Sequence, residues 1–253
     1  MNHLRAACTA AGFATLAIAP VTRADDSADA PAPEVAATPP DSAAKLGFQV
    51  GLRVAYTDGV GIVYEGIHLS DASSGALPLM VDLGWRFLPQ LYVGAYGQFA
   101  PVFLKTYALT CPPGFTCAGQ DWRLGVEADY HFLPRSKLDP YVGLGVGYEI
   151  LHSTFRDAEY PYVYNGSFVL AKWYESIIAR GWEFASLTLG FDWRFTDMIG
   201  AGLFVLGTVG EYGVQTGNYT VMAAGAQQTT PVPAVQIGAH ELAFIGLRGT
   251  FNP

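Results

Sequence analysis

The sequence predicts an all-β chain closed into a transmembrane antiparallel up-and-down barrel of eight strands, apolar outside and polar inside. Three observations lead there: eight segments alternate apolar and polar residues with a period of two, the connections between them alternate short and long, and an aromatic motif returns beside each short turn. A charged fraction of 14%, 51% hydrophobic residues and 29 glycines suit many short strands better than a charge-rich helical bundle.

In chain order, residues 1–24 read as a secretory signal peptide. Arg5 precedes an apolar run from Ala10 to Val21 that is too short to span a bilayer as a helix, and Thr22-Arg23-Ala24 offers a cleavage site. Cys8 has no apolar segment ahead of it, so it is expected to leave with the signal rather than to carry lipid. Residues 25–46 turn to Ala, Pro and Asp, with Pro31, Pro33, Pro39 and Pro40, and are expected to form a disordered periplasmic tether. Residues 47–253 form the barrel domain. The chain carries a net charge of −8 with few, scattered basic residues, so no nucleic-acid partner is expected.

The first strand sets Phe48, Val50, Leu52, Val54 and Tyr56 against Gln49, Gly51, Arg53 and Ala55. The second sets Leu79, Val81, Leu83, Trp85 and Phe87 against Met80, Asp82, Gly84 and Arg86, and the third sets Leu91, Val93, Ala95, Gly97 and Phe99 against Tyr92, Gly94, Tyr96 and Gln98. The fourth and fifth form a hairpin. Its first arm places Trp122, Leu124, Val126, Ala128, Tyr130 and Phe132 opposite Asp121, Arg123, Gly125, Glu127, Asp129 and His131. Its second places Val142, Leu144, Val146, Tyr148 and Ile150 opposite Tyr141, Gly143, Gly145, Gly147 and Glu149. In the sixth, Ala185, Leu187, Leu189, Phe191, Trp193 and Phe195 oppose Ser186, Thr188, Gly190, Asp192 and Arg194. The seventh, Ile199 to Val209, is apolar and Gly-rich on both faces, and the eighth sets Ala243, Ile245, Leu247 and Phe251 against His240, Gly246, Arg248 and Thr250.

Short turns fall at Leu88-Pro89-Gln90, Leu133 to Asp139 and Thr196-Asp197, while long connections cover roughly 58–77, 105–119, 152–181 and 212–238. Short periplasmic turns on one rim and long extracellular loops on the other are expected of an outer-membrane barrel. Trp85, Phe87, Tyr130, Phe132, Trp193, Phe195 and Phe251 flank the short-turn rim as one aromatic girdle, with Tyr56, Phe99, Trp122 and Tyr148 as the other. From Trp122 to Phe132 the rise is near 23 Å, at about 3.3 Å per residue on a strand tilted about 45°, close to the roughly 25 Å apolar band of such barrels.

With its signal peptide, its turn rule, the run Asp139 to Glu149 (DPYVGLGVGYE), Gly181-Trp182-Glu183 and the ending Leu247-Arg248-Gly249-Thr250-Phe251, the chain resembles the small outer-membrane β-barrel families of Gram-negative bacteria. It is similar to the membrane domain of OmpA and to OmpW-like barrels over Gly47 to Pro253. The resemblance implies the cell outer membrane as location, lipids including lipopolysaccharide as surroundings, and the barrel-assembly machinery as partner in biogenesis. Two features depart from it: no peptidoglycan-binding domain is expected beside the barrel, and Asn252-Pro253 follow the final aromatic ring.

Eight strands enclose a lumen that side chains can fill. Arg53, Arg86, Arg123, Arg194 and Arg248 point inward with Asp82, Glu127, Asp129, Glu149 and Asp192, so a salt-bridged plug is expected, with inward glycines making room for the arginines. The function expected is therefore non-enzymatic: envelope integrity or surface interaction through extracellular loops with an unknown partner. The alternatives are a narrow channel or conduit for small or hydrophobic solutes and, more remotely, a lipid-modifying enzyme built on His152-Ser153 and Glu159.

No cofactor or metal is expected. Gly143-x-Gly145-x-Gly147 follows strand period rather than phosphate-loop spacing, and His68, His131, His152 and His240 lack ligand spacing. Cys111 and Cys117 are expected to close a loop as a disulfide. Between Phe168 and Arg180, Val169, Trp173 and Ile177 share one face at helical spacing, so a short helix on the outer leaflet or over the mouth stands beside a strand continuation or an irregular loop.

Overall fold

The computed structural model describes residues 45–253 except 65–66, 106–110, 112–113, 158–159, 165 and 233–237. The expected signal peptide, most of the tether and Glu159 lie outside the described residues. Eight long strands pair antiparallel in a closed ring: β1 (Gly47–Tyr64), β2 (Leu79–Leu88), β3 (Leu91–Leu104), β4 (Phe115–His131), β5 (Leu138–Asp157), β6 (Ser167–Arg194), β7 (Ile199–Ala223) and β8 (Ala239–Phe251). The ring closes where β8 returns to β1, in register from Val50 with Phe251 to Gly61 with His240. Closure pairs both edges of every stave over this span and so removes the open sheet edges that invite aggregation.

Side chains follow the pleat. On β4, Trp122, Leu124, Val126 and Tyr130 are exposed while Asp121, Arg123, Glu127, Asp129 and His131 are buried. The inside of the barrel is thus its polar core. Among the described residues no helix is long and apolar enough to cross a membrane, and the apolar exterior is carried by strands.

Turns on the expected short rim are tight, but the opposite rim differs from expectation. The strands outrun their expected ends: β1 reaches Tyr64, β5 Asp157 and β7 Ala223, while β6 begins at Ser167. Residues Phe168 to Arg180 are strand throughout, paired with β7 from Ala171–Ala223 to Arg180–Val214, so no helix forms there. Val169, Trp173 and Ile177 lie four apart, an even number that puts them on one face of a strand as readily as of a helix. The strand wins because both sides offer ladder partners, with Tyr160–Tyr164 pairing the free side of β6 and Ala226–Pro231 that of β7.

Two bulges change the phase of the alternation. Ala185 pairs with Val209 and Glu183 with Gly210, so Phe184 is an extra residue on β6; Gly213 is extra on β7. Above the first bulge odd-numbered residues of β6 face inward, and below it even-numbered ones do. Because β2 is short, the gap above it between β1 and β3 is filled by the helical turn Leu69–Ala72 and the strand Ser73–Ala76, which pairs with both neighbours. Gly75 has φ +111, and a Cβ there would sit 2.4 Å from the Tyr56 hydroxyl oxygen and 2.6 Å from the Thr57 carbonyl oxygen, so only glycine fits.

Candidate functional site: an ionic shaft under an apolar chamber

The inward glycines do not chiefly accommodate arginines, as the sequence suggested. A Cβ on Gly84 or Gly94 would collide with the Tyr92 ring, on Gly125 with Tyr96, on Gly190 with Tyr141 and on Gly143 with the Asp129 carboxylate. Rings and carboxyl groups take the space, and the arginines lie between them.

Near the tight turns, Arg86 donates to the Gln49 side-chain oxygen (3.1 Å), to the Pro89 carbonyl (2.9 Å) and to His131 Nε2 (3.0 Å). Arginine only donates, so His131 accepts at Nε2 and donates from Nδ1 to Asp139 (3.0 Å), which also accepts from Arg194 (2.5 Å) and the Leu133 amide (3.1 Å). In the middle, Arg53 bridges Asp82 and Glu127, the latter at 2.7 Å, and its guanidinium lies over the ring of Phe204 at 5.7 Å. Arg248 sits 2.9 Å from Asp129 and 4.7 Å from the centre of the Tyr141 ring, held by charge and by the ring face.

At the top, Arg123 gathers three carboxylates: Asp121 at 3.0 Å, Glu149 at 3.0 Å and Glu183 at 2.9 Å. Glu149 also accepts from the Tyr212 hydroxyl and contacts His240 at 2.9 Å, Glu183 accepts from the Tyr96 hydroxyl at 2.9 Å, and Gln98 donates to Asp121 at 2.9 Å. Below this layer, paired ions and rings occupy the shaft, and a cavity beside Arg53 and Arg123 has about 10 Å³, at the lower limit for a single water.

Above Arg123 the inside changes chemistry. A chamber of about 360 Å³ opens, walled by apolar side chains such as Leu69, Leu104, Leu151, Phe155, Ile177 and Leu242 and floored by Asp121, Glu149, Tyr212 and Gln215. It lies in the strand extensions that sequence reading assigned to loops. Toward its upper wall, Trp173 donates to Glu175 at 3.3 Å. Burial pushes the Glu175 carboxyl above its ordinary value, and that indole N–H opposes the shift.

All ten expected lumen residues turn inward, and eight of them meet in ion pairs. Two do not: Arg86 rests on Gln49 and His131, and Asp192 is buried with Oδ1 unbonded among the described residues. Asp121, Asp139, Glu183, His131 and His240 belong to the network but were not expected in it. Asp121 and His131 were visible by parity, Asp139 lay within a turn segment, and the β6 bulge hid Glu183. Among the described residues the inward arginines number five, against eight buried carboxyl groups.

Outside, Trp85, Phe87, Tyr130, Phe132, Trp193, Phe195 and Phe251 are exposed around the tight-turn rim. On the other rim, Tyr56 and Trp122 are exposed, Phe99 lies half-buried against Trp122 (4.7 Å), and Tyr148 lies against the exposed Trp182 (5.1 Å). Cys111 and Cys117 are bonded to each other. His152 and Ser153 fall on opposite faces of β5, and His152 pairs with Ser176 instead (3.0 Å), so they form no nucleophile and base. Among the described residues no group of His, Cys, Asp and Glu has the arrangement of a metal site.

No known protein family and no curated protein matches the sequence. Among solved structures, the chain is similar to Neisserial surface protein A at 15% identity and a TM-score of 0.39, covering 80% of this chain and 96% of that one. It is similar to the outer membrane protein OprG of Pseudomonas aeruginosa at 13% and 0.43 (84% and 99% covered), and to a major outer membrane protein of Thermus thermophilus at 13% and 0.46 (80% and 99%). These likenesses concern the path of the chain. By its own strand pairing and its inverted polarity, the chain has the fold of the small eight-stranded outer-membrane β-barrels.

Proposed function

We propose that this protein is a non-enzymatic outer-membrane barrel that binds a small apolar solute in the chamber at its wide end and passes no ions through its shaft. The observation behind this reading is the chamber itself, about 360 Å³ of mostly apolar wall above a filled ionic floor. Ligand pockets span about 300–1,000 Å³, mostly apolar with a few convergent polar groups. Membrane residence is supported by the exterior, where Leu124, Leu144, Ile245 and Leu247 are each more than 60% exposed in a continuous apolar band. Soluble monomers rarely expose apolar patches beyond about 300–600 Å². Lipid, including lipopolysaccharide, is the medium that would cover this band, the assembly machinery for such barrels would insert the chain, and the chamber would then face the cell exterior.

The test is saturable binding of a neutral apolar probe, 1-adamantanol, by calorimetry on the full-length protein in lipid nanodiscs, with empty nanodiscs as the partition control. Saturation is expected, and loss of it is expected in Ile177→Trp, which fills the chamber while retaining the heat-modifiable gel shift of a closed barrel. Absence of binding to the wild-type protein would sink the reading.

A second reading has its own observation. The upper parts of β6 and β7, flanked by Tyr160–Tyr164 and Ala226–Pro231, continue beyond the ring as a sheet that exposes Phe168 and Leu170. Such a surface suits contact with a partner at the cell surface.

A further inference from the structure

The outside of the upper barrel carries a basic flank. Leu151, Phe155 and Ile177 face the chamber, so the even-numbered residues of these parts of β5 and β6 turn away from it. On that outward face Arg180 pairs with Ile150 and Tyr174 with Arg156, and Lys172 lies one outward position above Tyr174. Arg156, Lys172 and Arg180 are all exposed. The Arg156 guanidinium lies over the Tyr174 ring, 5.6 Å from its centre. Among the described residues none of the three cations has a carboxylate partner. The outward positions from 150 to 156 on β5, from 172 to 180 on β6 and from 214 to 222 on β7 hold no acidic residue. A chain of net charge −8 thus presents a flank that is basic without acidic neighbours.

The heights of these cations point to the partner. Trp182 and Tyr148 share one outward row, and Arg180 stands one outward position higher, about 5 Å at roughly 3.3 Å per residue on a strand tilted about 45°. Aromatic girdles mark the edge of the hydrocarbon, and headgroups occupy roughly 5–7 Å beyond it, so Arg180 meets the level of lipid phosphates. By the same rise Arg156 and Lys172 stand about 14 and 19 Å above Arg180, beyond the reach of a phospholipid headgroup. Resting on the orientation proposed above, with the chamber toward the cell exterior, we infer that this flank binds a phosphorylated glycolipid of the outer leaflet. A phosphate on its membrane-level sugars meets Arg180, and a phosphate on its outer sugars meets Arg156 and Lys172. A guanidinium offers paired donors to a phosphate, and Tyr174 holds that of Arg156 in place. A phospholipid reaches the lower cation alone. The flank lies on the opposite face of the strands from the chamber, so glycolipid binding and solute binding stand or fall separately.

Three lipids separate these cases when titrated into the full-length protein in detergent micelles, with divalent cations chelated and bound lipid followed by native mass spectrometry. They are a rough lipopolysaccharide with phosphates on lipid A and on its inner-core sugars, lipid A alone, and phosphatidylglycerol. The lipopolysaccharide is expected to bind most tightly and phosphatidylglycerol least. Arg180→Gln is expected to weaken binding of lipopolysaccharide and of lipid A about fivefold each, the scale of one basic residue at an anionic lipid surface. Arg156→Gln combined with Lys172→Gln should bring lipopolysaccharide down to about the affinity of lipid A and leave lipid A itself unchanged. Only preparations with the gel shift of a closed barrel count; if Arg180→Gln fails to give it, the wild-type ranking and the double variant carry the test. Equal binding of lipopolysaccharide and phosphatidylglycerol would overturn the glycolipid assignment. So would unchanged lipopolysaccharide affinity in either folded variant, or no lipopolysaccharide binding at all, whatever the chamber holds.

Discussion

Arg53 shows at the scale of one residue why this interior is structural. It is 2% exposed and serves Asp82 and Glu127 together. Replacing it leaves two buried carboxylates without their cation, and breaking a buried pair from one side costs about 3–5 kcal/mol. Arg53→Met is therefore expected to lower the temperature of the heat-modifiable gel shift markedly. Arg53→Met combined with Asp82→Leu and Glu127→Leu should recover most of the loss, since exchanging a whole buried ionic group for apolar residues is often neutral. Full stability in the single variant would contradict a tightly paired lumen. At this scale the sequence was legible wherever alternation was unbroken: the parity of Arg53, Asp82, Arg123, Glu127 and Glu149 placed them inside. It did not reveal partners, because which guanidinium meets which carboxylate depends on the stagger between strands, and that is not written in any one segment.

β6 shows both the reach and the limit of pattern reading at the scale of an element. Its lower half, Ser186 to Arg194, keeps one phase and was read correctly. Its upper half reverses phase at the Phe184 bulge, so Glu183 could not be assigned from the pattern below. Deleting Phe184 should join the two phases into one unbroken alternation that keeps Glu183, Ala179 and Ile177 inward, so the folded band on gels and insertion into lipid vesicles are expected to persist. Loss of the folded band would show that the bend made by the bulge is itself needed to close the barrel. The same strand carries Val169, Trp173 and Ile177, whose spacing of four fits both periods. Backbone chemical shifts over residues 169–180 are expected to show extended structure in lipid, and helical shifts there would contradict the extension of β6 that forms one wall of the chamber.

Across the whole molecule, one axis joins two chemistries: a shaft filled by ions and rings, then a chamber whose wall turns apolar above Arg123. The eight-strand count, the closure and the unequal rims followed from periodicity and turn residues. The chamber did not, since its walls come from segments whose length resembled loops, and Leu151, Ser153 and Phe155 show their common face only once β5 is known to continue to Asp157. That division can be tested by electrical recording of the full-length protein in planar bilayers, using only preparations with the gel shift of a closed barrel. Current indistinguishable from the bare membrane is expected, because buried ion pairs occupy the lumen at the layer of Arg53 and Arg123. Discrete, reproducible openings in ordinary salt would contradict a sealed shaft beneath a binding chamber.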